Sequence, residues 1–202
     1  VFDSAGSFVN KWGGPLAMNI FGPFPGWFAT VTSVAVGPQG NVFVADFYNN
    51  RVQKFSAKGL FLTSFGGSGT GPGQFSYIMA VAVAPDGTIL AFCEGRRHGQ
   101  DDYRANYLVL KRSTDNGVTW GDLQLLVGNP DYTMNNPTVV VDKDTDTVWL
   151  AFCKHASEVY IMKSDDSGAS WSEPKNITNE AKLPGWAQYD LGTGHGIQLK
   201  SG

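Results

Sequence analysis

The chain has 202 residues, 42% hydrophobic and 16% charged, with 15 Lys plus Arg against 18 Asp plus Glu for a formal net charge of −3. That is ample apolar material for a globular core, and the lack of a basic stripe argues against nucleic acid or an anionic membrane as the main partner. No apolar run approaches the roughly 20 residues of a membrane span, and no charged stretch leads into an apolar one at the start, so the chain reads as a soluble mature segment.

With 25 Gly, 10 Pro and 13% aromatics, short strands and tight turns are expected throughout. Period-two alternation predicts strands at 32–36, 41–46, 51–55 and 60–65, separated by PQG, FYNN and SAKG. A second set falls at 80–84, 88–93, 106–113 and 119–127, and a third at 138–142, 147–153, 158–164 and 170–177. Cys93 and Cys153 sit in the similar strings AFCEGR and AFCKHA. Two cysteines supply no disulfide framework and no zinc spacing, so both are expected as buried free thiols.

Internal repeats reinforce the grouping. VFDSAGSFVNKWG at the start matches KFSAKGLFLTSFG from Lys54, SVAVGPQG from Ser33 matches AVAVAPDG from Ala80, and STDNGVTW from Ser113 matches SDDSGASW from Ser164. Four strands recurring about every 50 residues is the signature of an all-β propeller built of four-stranded antiparallel blades. About three full blades are expected, with blade fragments at both ends and no helix longer than a turn or two. The composition shifts near Asp86: eleven of the 13 Phe lie in the first 86 residues, which hold only seven charged side chains. Two sequence origins, residues 1–86 and 87–202, are therefore expected within one continuous propeller unit.

GNVFVADFYNNRVQKF, with the nearby GSGTGPGQF, resembles the NHL repeat of six-bladed propellers, which implies protein or RNA binding in that family. From Pro85 onward PDGTILAFCEGRRHGQDD, NPTVVVDKDTDTVWLAF and GHGIQL resemble bacterial exo-sialidases, also six-bladed and of a secreted or periplasmic type. The two S-x-D-x-G-x-T/S-W strings are similar to Asp-boxes: Ser113, Asp115, Gly117 and Trp120, then Ser164, Asp166, Gly168 and Trp171. The resemblance implies a structural turn in which the Asp bonds backbone N–H groups and the Gly takes positive φ, with each Trp packed between blades.

The sialidase resemblance also implies an arginine cluster for the sugar carboxylate, an acid/base carboxylate, and a Tyr nucleophile served by a Glu. Arg96 matches one of the arginines, and its planar fork suits a carboxylate. Asp101 matches the acid/base position, and Asp102 is a shifted substitute for it. The family's first arginine falls where this chain reads Tyr77-Ile-Met, and no tyrosine occupies the nucleophile motif. The catalytic set is therefore read as absent, with Arg96, Asp101 and Asp102 left as vestigial positions of weak binding, or as a solvated charged loop. His98, His155 and His195 lack metal-ligand spacing, and no metal or cofactor is expected.

The expected function is a fused, engineered half-propeller scaffold, a de novo protein joined in the PDG turn at residues 85–88 and lacking evolved activity. Two alternatives stand beside it: a protein- or glycan-binding module, and a truncated sialidase with residual sialoside binding. Apolar blade faces and fragmentary ends favour closure of the ring by a second copy, hence a homodimer.

Overall fold

Every blade ends in a largely exposed strand, and burial is deepest where the middle blade opens. The computed structural model describes residues 5–10, 22–96, 105–186, 191–192 and 194–198. The first sheet is β1 (Val31–Val36), β2 (Val42–Asp46), β3 (Arg51–Phe55) and β4 (Phe61–Gly66). The second is β5 (Ile78–Val83), β6 (Ile89–Arg96), β7 (Asn106–Ser113) and β8 (Gln124–Gly128). The third is β9 (Met134–Asp142), β10 (Thr147–Lys154), β11 (Glu158–Ser164) and β12 (Lys175–Asn176), followed by a one-turn helix α1 (Thr178–Ala181). Neighbouring strands within each blade pair antiparallel in chain order. Three four-stranded antiparallel sheets, set as successive blades, make this a β-propeller fold.

Two apolar layers hold the blades together. Phe43, Ala45 and Val52 of the first blade meet Ile78, Val81, Val83, Ile89 and Ala91 of the second. Its other face sets Leu90, Phe92, Leu108 and Leu110 against Val139, Leu150, Phe152 and Met162 of the third. This is why β5 reads IMAVAV without polar alternation: every residue is buried, and a bulge at the register shift between Ile78 and Ala80 re-aims the strand. Each fully buried Leu or Phe contributes about 1.5–3 kcal/mol.

Differences from the sequence reading fall at the outer strands. The expected strand at 119–127 forms only over Gln124–Gly128, and that at 170–177 only over Lys175–Asn176. Both begin late because Asp115 and Asp166 hold the Thr119 and Ser170 N–H groups in turns, with Gly121 N–H to Arg112 O and Ser172 N–H to Lys163 O as isolated ties ahead of the regular ladder. The segment GHGIQL falls in the blade fragment expected at the end of the chain. There β13 (Gly194–His195) pairs parallel with β9, and Gly196 N–H donates to Val139 O at 2.9 Å. It lies against β1 and β5 as well, filling space among the three inner strands.

The apolar segment before β1 has its own task. Residues 22–30 run as a strap over the face of the first blade turned away from the second, with Phe28 against Phe55 at 5.7 Å. Polar side chains from VADFYNNRVQ fasten it. Asp46 accepts from Ala29 N–H, Arg51 Nε, Asn49 Nδ2 and Gln53 Nε2. Arg51 also donates to the carbonyls of Pro23, Phe24 and Trp27, and Gln53 to that of Trp27. Asp46 and Gln53 are wholly buried, so this network satisfies polar groups that would otherwise be costly.

Candidate functional site

In an antiparallel blade the ends of even strands and the starts of odd strands share one edge. That edge here carries the β2–β3 turn, the end of β6, the starts of β5, β7 and β9, and the β10–β11 turn. Arg96 closes β6, its backbone paired with Asn106. Asp101 and Asp102, with Arg97 and His98, lie outside the described residues. The structure therefore places the backbone of Arg96 at the end of β6, near a polar brace between blades.

The brace is Glu94, which periodicity alone had hidden inside an apolar strand. Buried between blades, it accepts from Asn106 Nδ2 at 3.3 Å and from Asn136 N–H at 3.2 Å. Asn106, also fully buried, accepts from Met134 N–H. The end of the second blade is thereby tied to the start of the third. Asn136 takes a φ of 56° to present its N–H, a conformation Asn tolerates better than most residues.

Two aromatic groups flank this brace. Tyr48, well exposed, meets Tyr77 at 6.3 Å, and Phe47 lies 5.1 Å from the same ring. Tyr77 has a φ of 54°, strained for a bulky residue, and its N–H is held by Asn50 Oδ1 at 2.6 Å. On the third blade Lys154 Nζ sits 4.3 Å above the Tyr132 ring, and Tyr160 OH donates to Glu158 Oε2 at 2.8 Å. That bond to a carboxylate, then partial burial, pushes the Tyr160 phenol above its ordinary value. The pair reproduces the residue types of a Tyr/Glu nucleophile, but a phenol held this way is harder to ionise.

The Asp-box residues gather on the opposite edge, after β7 and β11. Ser113 Oγ donates to Asp115 Oδ1 and accepts Gly117 N–H, both at 2.8 Å, while Thr119 donates to Asp115 through N–H and hydroxyl. Ser164, Asp166, Gly168 and Ser170 repeat the pattern. Gly117 and Gly168 hold φ values of 94° and 80°. Trp120 packs edge-on to Phe75 at 5.0 Å, and Trp171 to Phe92 at 6.0 Å. These boxes sit across the blade from Arg96, too far to share its chemistry. Among the described residues no three His, Cys, Asp or Glu side chains converge as a metal site.

The Ser170 hydroxyl and N–H hold the Asp166 carboxyl down at about 2. Because the folded value lies below the ordinary 3.8, the ionised box stabilises the fold at all pH values above the carboxylate range. That contribution fades as pH falls through about 2. A carboxyl carbon NMR titration is expected to place the Asp166 midpoint near 2; a midpoint at 3.8 in the folded protein would show the turn bonds to be idle.

Comparison with known proteins gives this geometry its context. An NHL repeat pattern matches residues 28–55 and a BNR repeat-like domain pattern matches residues 87–202. The chain is 34% identical over 167 residues to an exo-alpha-sialidase of Aspergillus fumigatus, covering 66% of this chain and 41% of that protein. It is 35% identical over 142 residues to human Sialidase-4, covering 59% of this chain and 29% of that protein. A solved structure of the Hadza microbial sialidase Hz136 superposes with a TM-score of 0.57 at 25% identity, over 62% of this chain and 30% of that one. The chain thus spans well under half the length of the relatives it matches. No helix among the described residues is long and apolar enough to cross a membrane.

These matches correct one expectation. An engineered, de novo scaffold without evolved function does not fit a chain whose similarity to sialidases recurs in fungi, mammals and Micromonospora viridifaciens. The chain carries two propeller repeat types, an NHL match at 28–55 and a BNR match at 87–202, and the change of composition near Asp86 that suggested a laboratory fusion falls between them. With the family pattern matched across residues 87–202, more than half its length, this protein belongs to the BNR repeat-like domain family.

Proposed function

We propose that the chain is a sialidase-type propeller region that binds sialylated glycans on the edge where β6 ends and β9 begins. The observation that carries this reading is the Glu94–Asn106–Asn136 bridge. Spending buried polar groups to fix one strand end is worthwhile where that end must present Arg96 in a set geometry, since a planar fork recognises a carboxylate bidentately. Sialic acid supplies such a carboxylate. An exposed Tyr48 ring on the same edge offers a flat surface to the apolar side of a sugar.

Binding of an α-linked sialyllactose is expected to exceed that of lactose, and Arg96→Ala is expected to weaken it at least tenfold. Equal binding of the two sugars on a glycan array would sink the reading. Hydrolysis by this chain alone is not expected. Arg96 is its one match to the arginine cluster, and the Tyr160 phenol is pushed away from ionisation. A fluorogenic sialic-acid substrate should stay at the buffer rate; turnover that Arg96→Ala abolishes would overturn this part. A homodimer is part of the same proposal. The outward face of the third blade carries Val140, Trp149, Ala151 and Ile161 only half-buried. Light scattering should give twice the 21.8 kDa chain mass, and the single-chain mass at micromolar concentration would refute the dimer.

A further inference from the structure

The sequence holds one Asn-x-Ser/Thr triplet open to N-linked glycosylation, Asn176-Ile177-Thr178. Asn136-Pro137-Thr138 has the same end residues, but its central Pro bars it. A triplet alone is only a pattern, and its place in the fold decides what it can do. Asn176 closes β12, which stands at the end of its sheet with both residues exposed. Neighbouring residues of a strand point to opposite faces. Lys175 stands opposite Ile161, on the outward face assigned above to a second copy, whereas Asn176 stands opposite Tyr160, which packs toward the second blade. A glycan on Asn176 therefore departs from the side away from the dimer face.

The carboxamide is bonded at both ends in a way that modification preserves. Asn176 Oδ1 accepts Thr178 N–H at 2.9 Å, and Asn176 Nδ2 donates to Glu158 Oε2 at 3.2 Å. Joining a sugar to Nδ2 removes one of its two hydrogens and leaves the other as a donor. Thr178 fixes the order of events. Its Oγ1 accepts Val159 N–H at 2.9 Å, so in the closed blade the hydroxyl is held against β11. A transferase that reads the triplet must reach that hydroxyl as well as the Asn, and it can do so only before the third blade closes.

We infer that Asn176 is an N-glycosylation site, filled before the third blade folds, whose glycan shields the free edge of β12. The transfer joins Asn176 Nδ2 to the anomeric carbon of an oligosaccharide carried on a polyprenyl diphosphate. The bond from that carbon to the diphosphate oxygen breaks, the diphosphate leaves with the electron pair, and a base of the transferase takes the displaced amide proton. An exposed edge strand is a template for pairing with another chain, and a bulky, hydrated glycan beside it blocks the approach. The site is independent of the sialoside reading, and the two can fail separately.

The full chain, secreted from yeast behind a cleavable leader, tests it. Peptide mass mapping is expected to find a glycan on Asn176, and peptide-N-glycosidase in heavy-oxygen water should convert that residue to labelled aspartate. Asn176→Gln and Ile177→Pro should abolish the mass shift, and Thr178→Ser should retain it. Ile177 N–H donates to Val159 O, so if Ile177→Pro is not secreted, Asn176→Gln at an exposed position decides. A secreted chain with Asn176 unmodified overturns the site. A second arm gives a purified transferase its polyprenyl-linked donor together with the unglycosylated chain, either as the folded parent or as Leu150→Asp, unfolded by a charge at a fully buried position. Transfer to the unfolded chain is expected to be at least tenfold faster, and equal transfer overturns the order of events. On heating, the secreted Asn176→Gln chain should aggregate at least twofold faster than the glycosylated parent; equal rates overturn the shielding role.

Discussion

Asp46→Ala is expected to cost about 3–5 kcal/mol of stability, because it removes one partner of a buried ion pair and leaves the other uncompensated. Arg51 Nε lies 2.9 Å from Asp46 Oδ2, with the two side chains 11% and 0% exposed. The loss does not stop at the pair. Ala29 N–H and Gln53 Nε2 bond the same carboxylate, so the strap of residues 22–30 loses a fastening along with the blade. Urea denaturation should show the midpoint falling sharply. Arg51→Ala made in the Asp46→Ala background should cost much less than it does alone, since the charge it would strand is already gone. Strict additivity of the two substitutions would mean the network contributes nothing as a unit.

Gly117→Ala is expected to destabilise by about 2–4 kcal/mol, combining a left-handed backbone that Ala resists with overpacking. Its φ is 94°, and an added Cβ would stand 2.4 Å from Phe65 Cε1 of the first blade. The matching Gly168 has a φ of 80° and would meet the end of Leu90 at 2.8 Å. A leucine methyl can rotate aside more readily than an aromatic ring wedged against Trp120, so Gly168→Ala should cost less. Thermal melts of the two variants decide the order, and equal losses would show that backbone strain, not the blade contact, sets the price.

The blades were legible because period-two alternation and a repeat near 50 residues are local signals with one structural solution. β3, β7 and β11 fall at the expected residues. The outer strands start later than alternation suggests where side chains capture backbone groups: Asp115 holds Thr119 N–H and Asp166 holds Ser170 N–H, a competition alternation does not record. The site was half legible. Arg96 could be named from its motif, but Glu94 sits in an apolar strand between Cys93 and Gly95. Its partner Asn136 lies 42 residues away. Nothing local announces that pairing. Tyr77 was noted for standing where an arginine was expected; its left-handed backbone depends on Asn50, 27 residues earlier. The two repeat types are present, but the composition shift near Asp86 was misleading as evidence of artifice.

β5 is buried along its whole length, with one face in each of the two apolar layers. Separating the first blade from the second, or the second from the third, strips one side of that strand. Fraying of β4 or β12 at the exposed rim strips neither. Amide hydrogens of Val81 and Ala82 should therefore exchange with solvent only when the whole propeller opens, at a rate that tracks global stability under added denaturant. Those of Leu62 should exchange through small local openings that denaturant barely changes. The middle blade thus sets the cooperative unit of unfolding, and a substitution at Glu94, which bridges it to the third blade, is expected to loosen both.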